Sequence, residues 1–178
     1  MKEYLALLRG INVGGKNKLP MKDLAAMFRD AGCTAVETFI QSGNVLFDAP
    51  PAVARQIPAI IPAQIEKRFG HRPPFVMRTA GQLAAVVANN PFPPSHEDQL
   101  HVMFLAGTPD AARIKSLDPE RSKPDSFLVR GAEIYLHLPN GGGSTKLTNA
   151  YFDSKLATIS TIRNWRTVTK LNQLLQGE

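Results

Sequence analysis

The sequence has very little cysteine and no long apolar run. Its single cysteine, Cys33, excludes an internal disulfide and any metal site built from several cysteines. No apolar run approaches the roughly 20 residues that a membrane-spanning helix needs, and the segment MKEYLALLRGIN is too short for a signal peptide and lacks its cleavage site. A lone thiol is typical of a reducing compartment. We therefore expect a cytoplasmic protein with no membrane partner, in which Cys33 is a small buried side chain.

The composition has an excess of basic residues. The 178 residues include 21 Lys and Arg against 15 Asp and Glu, which gives a formal net charge of +6. With 43% hydrophobic and 20% charged residues the chain is typical of a globular protein of one or two domains. The excess of cations predicts attraction to anions such as nucleic acid, nucleotides or phosphorylated metabolites.

Apolar periodicity in the first part of the chain alternates between strand and helix patterns. Pro20 favours the start of a helix and Gly32 its end, and Ser42-Gly43-Asn44 suits a tight hairpin. Pro58 and Pro62 must kink or delay the second helix. The predicted elements are a strand over Tyr4–Leu8, a helix from Pro20, strands over Val36–Gln41 and Val45–Asp48, a helix within Ala52–Phe69 and a strand over Phe75–Thr79.

The later part of the chain repeats this order of elements after a break. Thr79 and Gln82 have capping-box spacing, which predicts a helix over Ala80–Asn89. The segment NNPFPPSHED then interrupts all periodicity. The remaining predicted elements are a strand over His101–Leu105, a helix over Pro109–Leu117, a hairpin of two strands over Phe127–Arg130 and Ile134–Leu138, a helix over Thr145–Leu156, a strand over Ile159–Ile162 and a closing helix over Trp165–Leu175.

These patterns predict an α+β fold made of two ferredoxin-like βαββαβ plaits. We expect the first plait over 1–79, a linker helix and loop over 80–99, and the second plait with a C-terminal helix over 100–178. No repeat of individual residues supports the second plait, so it depends on element order alone.

Five segments carry a resemblance to a known family: ALLRGINVGGKNKLPM, IQSGNVLF, NPFP, YLHLPNGGGSTKLT and TIRNWRTVTKL. Together they resemble the bacterial family catalogued as Domain of Unknown Function 1697. The resemblance extends from Tyr4 to about Leu171 and implies two alpha-beta plaits side by side. It implies no activity and no catalytic residue. The family often has a basic residue at the position of Ser144, where this chain departs from it.

A basic, glycine-rich loop follows the first strand. Gly10, Gly15 and Lys16 match the GxxxxGK spacing of a phosphate-binding P-loop, but Asn17 replaces the hydroxyl that would hold magnesium and Pro20 delays the helix. The alternatives are an anion site built from backbone amides and cations, or a purely structural turn. In a plait this loop and the hairpin between strands two and three share one end of the sheet. The candidate ligand-binding residues are Arg9, Gly10, Asn12, Gly14, Gly15, Lys16, Lys18, Gln41, Ser42 and Asn44.

A second candidate patch lies near the end of the chain. An indole among cations suits stacking on a base while the cations reach phosphates, and the alternative is a tryptophan buried beneath the last helix. Gly141–Gly143 could offer amides to a phosphate or could only reverse the chain. The residues of this second patch are Lys146, Arg163, Asn164, Trp165, Arg166 and Lys170.

The sequence gives no catalytic constellation and predicts no metal or cofactor. His71, His96, His101 and His137 have no ligand spacing, and the cluster from His96 to His101 suits a charged loop. His137 is expected to face away from the apolar side of its strand.

Three functions remain open at this point. The first is a binding module for nucleic acid or a nucleotide. The second is an enzyme of phosphoryl or nucleotidyl transfer, which needs an acid near the first loop, with Asp48 as the candidate. The third is a protein-interaction module that uses sheet faces or edges.

Overall fold

The computed structural model describes residues 2–177, except the side chains of Pro94, Ser95 and His96. The chain divides into two compact units. The first unit comprises Met1–Leu83 together with Leu171–Glu178, and the second comprises Ala84–Lys170.

The first unit is a four-stranded antiparallel sheet with strand order β2-β3-β1-β4. The ring of Phe28 in its first helix lies 5.0 Å from the ring of Phe47 in the sheet, tilted by 57°. The helices bury their apolar faces on this same side of the sheet. The elements are β1 (Tyr4–Leu8), α1 (Met21–Asp30), β2 (Thr34–Phe39), β3 (Asn44–Asp48), α2 (Pro51–Ala54), α3 (Ile57–Phe69) and β4 (Phe75–Thr79).

Of the two prolines predicted to kink or delay the second helix, Pro58 coincides with a delayed helix start, whereas Pro62 lies within a helix that continues past it. A short helix, α2, ends at Ala54, and α3 begins at Ile57 with Pro58 in its first turn, where a missing N–H has no helical acceptor to lose. Pro62 lies inside α3 and is buried. Gly70 ends α3 with a φ of 78°, the left-handed conformation that glycine adopts without strain.

Helix α4 (Ala80–Ala88) follows β4 directly and carries the chain from the first unit into the second. The predicted capping box is present, since Thr79 N donates to Gln82 Oε1 and Gln82 N donates to Thr79 Oγ1. A 3-10 helix over Pro94–Gln99 precedes the next strand.

The second unit repeats the fold with strand order β6-β7-β5-β8, again antiparallel throughout. Ile134 and Leu136 of its sheet face the core, so His137 lies on the opposite side, as expected. Its elements are β5 (Leu100–Leu105), α5 (Ala111–Lys115), β6 (Ser126–Arg130), β7 (Glu133–His137), α6 (Asn149–Leu156), β8 (Ser160–Asn164) and α7 (Trp165–Gln176).

The prediction of two βαββαβ plaits and a C-terminal helix is confirmed. Hydrogen bonds at the ends of the first strands support the repeat. The backbone N–H groups at the end of β1 and at the end of β5 donate to carbonyl oxygens at corresponding positions of the two units. The pairs are Leu8 N to Gly43 O (2.9 Å) with Leu105 N to Ala132 O (2.8 Å), and Arg9 N to Pro74 O (3.0 Å) with Ala106 N to Ile159 O (2.8 Å).

Within the part of the chain that the structure describes, no helix combines the length and apolar character required to cross a membrane.

Candidate functional site

The basic loop after β1 contains a small hairpin at its tip. Lys16 N donates to Val13 O at 3.0 Å, and Asn12 N donates to Asn17 O at 3.1 Å. Gly14 and Gly15 between them have φ of 57° and 75°. Two successive positive φ angles define a type I′ turn, which glycine adopts at little cost. Gly10, at the start of the loop, has a positive φ of 72° as well.

Asn12 fixes the base of this hairpin. Its Nδ2 donates to Leu19 O at 2.9 Å and to Gln41 O at 3.0 Å, while its Oδ1 accepts from Leu19 N at 2.8 Å. Its φ of 53° is one that asparagine tolerates better than most residues. Asn12 therefore joins the two ends of the loop to the β2–β3 turn.

Asn17 closes the other side of the loop. Its Nδ2 donates to Gly10 O at 2.9 Å, and its φ is 50°. The position at which a P-loop would have a magnesium-binding hydroxyl thus supplies a structural amide. The side-chain amides of Asn12 and Asn17, and not the two lysines, hold the shape of the loop.

The β2–β3 turn packs against this loop, as the plait topology predicts. Gly43, with a φ of 78°, lies so close to the loop that a Cβ there would meet Leu8 Cβ at 2.7 Å and Ile11 Cδ1 at 2.8 Å. Asn44 Nδ2 donates to Phe39 O at 3.0 Å and to Ser42 Oγ at 2.9 Å. The loop and the turn therefore form one composite surface, which we call the β1 tip and define as residues 9–18 and 40–43.

Only some of the predicted ligand-binding residues can reach a ligand at the β1 tip. Lys16, Lys18 and Gln41 are exposed and Arg9 is half-buried. Asn44 is fully buried, so its predicted contact with a ligand is corrected: its amide holds the turn from within. Asn12 likewise uses its amide for the backbone.

The two lysines of the β1 tip differ from three other cations of the first unit. Lys2, Arg68 and Arg72 each pair with a carboxylate at 2.6 to 3.2 Å. Over the described residues, the side chains of Lys16 and Lys18 make no hydrogen bond or ion pair within the chain. Their charges therefore face solvent.

The geometry does not support a nucleotide-hydrolysing P-loop. Helix α1 begins only at Met21, with Pro20 as its N-cap, so its first amides lie well beyond Lys16. Asp48 lies at the opposite end of β3 from Asn44, about 13 Å away at roughly 3.3 Å per residue. Its Oδ1 accepts from Glu3 N at 2.8 Å. Asp48, the acid predicted to serve phosphoryl transfer, therefore does not lie beside the loop after β1.

Two of the six residues of the second candidate patch, Arg163 and Trp165, are buried. Trp165 is only 5% exposed, which favours the alternative of a core residue over a stacking platform. Arg163 is 8% exposed, and its Nη1 donates to Thr161 Oγ1 and Ile162 O, both at 2.8 Å. Burial lowers the pKa of Arg163 to about 10. Asn164 Oδ1 accepts from Thr167 N at 2.8 Å, so this side chain caps α7.

Four members of the second patch are exposed: Lys146, Asn164, Arg166 and Lys170. The glycine run near Lys146 does not lie at the start of a helix. The predicted helix from Thr145 begins only at Asn149, with Thr148 as its cap. Gly141–Gly143 therefore lies several residues before the helix and cannot place a phosphate on its first amides.

The surroundings of Lys146 are held by neutral and stacking contacts. Lys146 N donates to Ser122 Oγ at 2.9 Å, and Arg121 Nε donates to Lys146 O at 3.0 Å. The Arg121 guanidinium also lies 4.1 Å from the centre of the Tyr151 ring. These contacts account for the loop without a ligand.

Outside the undescribed side chains, no group of three His, Cys, Asp or Glu residues is arranged to hold a metal ion. The predicted cluster at His96 falls partly outside the described residues. His137 Nε2 lies 2.7 Å from Gln99 Oε1, and burial lowers the pKa of His101.

Two exposed aliphatic residues of the β1 tip were missed by sequence reasoning. Val13 is 64% exposed and Ile40 is 52% exposed. Ile40 also has a φ of 51°, a conformation that is strained for a β-branched residue. The sequence predicts β2 through Gln41, whereas the strand ends at Phe39, so Ile40 belongs to the turn.

Comparisons with known proteins agree with this fold. Residues 1–135 match a family described as a protein of unknown function, DUF1697. No curated protein matches the chain. A solved structure, that of the conserved bacterial protein SP0830 from Streptococcus pneumoniae, is similar over 99% of both chains, with 23% identity and a TM-score of 0.67. At that identity the likeness shows the fold alone.

Proposed function

We propose that this chain, which belongs to the DUF1697 family of proteins of unknown function, is a cytoplasmic module that binds a phosphate-bearing ligand, either nucleic acid or a nucleotide, at the β1 tip. The carrying observation is that Lys16 and Lys18 are exposed on a loop whose shape is maintained by other residues. Cys33, the single cysteine, is buried, and the absence of a disulfide supports the reducing compartment that the proposal includes.

Preorganisation is the physical basis of the proposal. A ligand that must order a loop loses much of its binding free energy to that ordering. Here Asn12 and Asn17 hold the backbone before any ligand arrives, and neither bond uses a cation. Phosphate can therefore be met by lysine ammonium groups at a fixed surface, where charge-assisted hydrogen bonds are stronger than neutral ones.

The second unit offers an internal comparison. At the end of β5 the residue that corresponds to Arg9 is Ala106, and only a short segment separates it from α5. A cavity of about 480 Å³ at this end is lined by Ala106, Gly107, Thr108, Pro109, Leu156, Ala157, Thr158 and Ile159, none of them charged. The same framework thus carries cations after the first strand of the first plait, whereas the segment between β5 and α5 of the second plait contains no cation.

The test is binding of the double variant Lys16→Ala/Lys18→Ala to a labelled DNA duplex, a single-stranded RNA and a mononucleotide, measured by fluorescence anisotropy. For the nucleic acids we expect weaker binding. The slope of log affinity against log salt should be shallower by about 0.9 for the duplex, and by about 0.7 for the single strand, for each lysine that contacts a phosphate. The fold should be unchanged, because exposed cations without partners contribute little to stability.

A matched control removes the same charge elsewhere. Lys115→Ala/Lys155→Ala lowers the net charge equally but changes exposed residues of α5 and α6. The proposal requires that this control retain the salt dependence of the unmodified chain. Unchanged affinity of the Lys16/Lys18 variant for all three ligands would remove the β1 tip as an anion site.

A further inference from the structure

The β1 tip presents apolar side chains as well as cations. Val13 and Ile40 are the exposed large hydrophobic residues of the first unit as far as the structure describes it. They lie on two segments that Asn12 Nδ2 joins by its bond to Gln41 O at 3.0 Å. Two aliphatic side chains and two lysines therefore share one end of one sheet.

The backbone conformation of Ile40 supports a functional role for its exposed side chain. A β-branched residue disfavours the left-handed region, yet Ile40 has a φ of 51° and is half exposed. Asparagine, which the loop uses at its other non-glycine left-handed positions, would meet the same backbone requirement with less strain. Backbone strain of this kind is concentrated at sites of function.

The residue types at the β1 tip distinguish between forms of nucleic acid. Proteins that hold single strands stack bases on aromatic rings, and residues 9–18 and 40–43 include no aromatic residue. Proteins that bind the minor groove of duplex DNA instead use lysine, glutamine and aliphatic wedges that open a base step and bend the duplex. Lys16, Lys18 and Gln41, with Val13 and Ile40, provide that set.

Resting on the proposed function, we infer that the ligand of the β1 tip is duplex DNA, entered from the minor groove, with Val13 and Ile40 as an aliphatic wedge and Lys16 and Lys18 on the flanking phosphates. Gln41 is placed to reach the acceptors on the groove floor. The wedge predicts that binding bends the duplex, which phosphate contacts alone do not require.

The experiment compares Val13→Ala/Ile40→Ala with the unmodified chain on an A·T-rich duplex labelled at both ends for energy transfer. We expect affinity to fall about tenfold, from the loss of buried aliphatic surface, and the bend to disappear. The salt dependence should stay the same, because the lysines remain. The matched control is Leu128→Ala/Ile159→Ala, which truncates exposed aliphatic residues of the second unit and should leave both affinity and bend unchanged.

Three outcomes would overturn the inference. Unchanged bend and affinity in the Val13/Ile40 variant, with the Lys16/Lys18 variant still impaired, would refute the wedge and leave the anion site standing. Tighter binding to single strands than to duplex would refute the duplex. Binding of phosphatidylserine-containing vesicles that depends on Val13 and Ile40, with no duplex binding, would assign the tip to a membrane surface, since lysines and aliphatic residues also suit that partner.

Discussion

Gly43 is the residue at which packing at the β1 tip can be measured. We expect Gly43→Ala to destabilise the protein through two separate effects. A φ of 78° costs about 1–2 kcal/mol for a residue with a Cβ. The new Cβ would also lie 2.7 Å from Leu8 Cβ and 2.8 Å from Ile11 Cδ1, and overpacking of this kind costs about 1–3 kcal/mol.

Neither neighbour can move aside easily. Leu8 is fully buried and its Cβ is fixed by the β1 backbone, while Ile11 is 1% exposed. The two effects together predict a loss of about 2–5 kcal/mol in the free energy of unfolding. That is a large share of the stability of an ordinary domain, which is about 5–15 kcal/mol.

Gly15→Ala is the matched control, because Gly15 has nearly the same φ, 75°, and no atom within 4 Å of a built Cβ. It should cost only the conformational part, about 1–2 kcal/mol. Urea unfolding followed by far-UV circular dichroism measures both variants. Tryptophan fluorescence is less suitable, since Trp165 belongs to the second unit. Equal losses for the two variants would refute the close approach of Gly43 to Leu8 and Ile11.

Three further predictions concern stability. Ile40→Asn should raise the free energy of unfolding by about 1 kcal/mol in urea, because asparagine accepts the left-handed φ of 51°; a loss would show that Ile40 is not strained. Asn12→Ala removes three hydrogen bonds and should cost about 2–4 kcal/mol in the same assay; a change below the error of the assay would mean that the loop is held by other contacts. Burial raises the pKa of the Cys33 thiol to about 11 from 9.0, so its stabilising contribution is complete below the lower value and is lost as pH rises through the higher one. The stability difference between the unmodified chain and Cys33→Ala should therefore shrink over about pH 9 to 11, and a constant difference would contradict the shifted pKa.

The fold could be predicted from the sequence because the signals for the helices, strands and turns of each plait are local. Apolar periodicity, the glycines that end helices and the hairpin signals all act within a few residues of one another. The order βαββαβ then followed, and both sheets have the predicted topology. Errors occurred at element ends, such as β2, which stops at Phe39, and α6, which begins at Asn149.

The details of the candidate site depend on contacts that local patterns do not contain. Asn12 and Gln41 are 29 residues apart, and only the folded sheet shows that the asparagine amide reaches that carbonyl. Burial of Asn44 likewise follows from the strand pairing of Leu7 with Asn44. Sequence reasoning could locate the β1 tip but could not separate the residues that build it from those that face outward.

The division of the β1 tip into residues that hold its backbone and residues that face solvent affects how it could bind a ligand. Ile11 and Leu19 are each 1% exposed and belong to the first core, so both ends of the basic loop are anchored in apolar packing. Between these anchors, Asn12 and Asn17 satisfy backbone groups that a flexible loop would leave to water. Because the ordering has already been achieved by folding, a ligand need immobilise only the lysine side chains, at about 0.5–1.5 kcal/mol each. A few cations on such a loop retain most of their interaction with phosphate, whereas the same cations on a mobile loop would lose it to entropy.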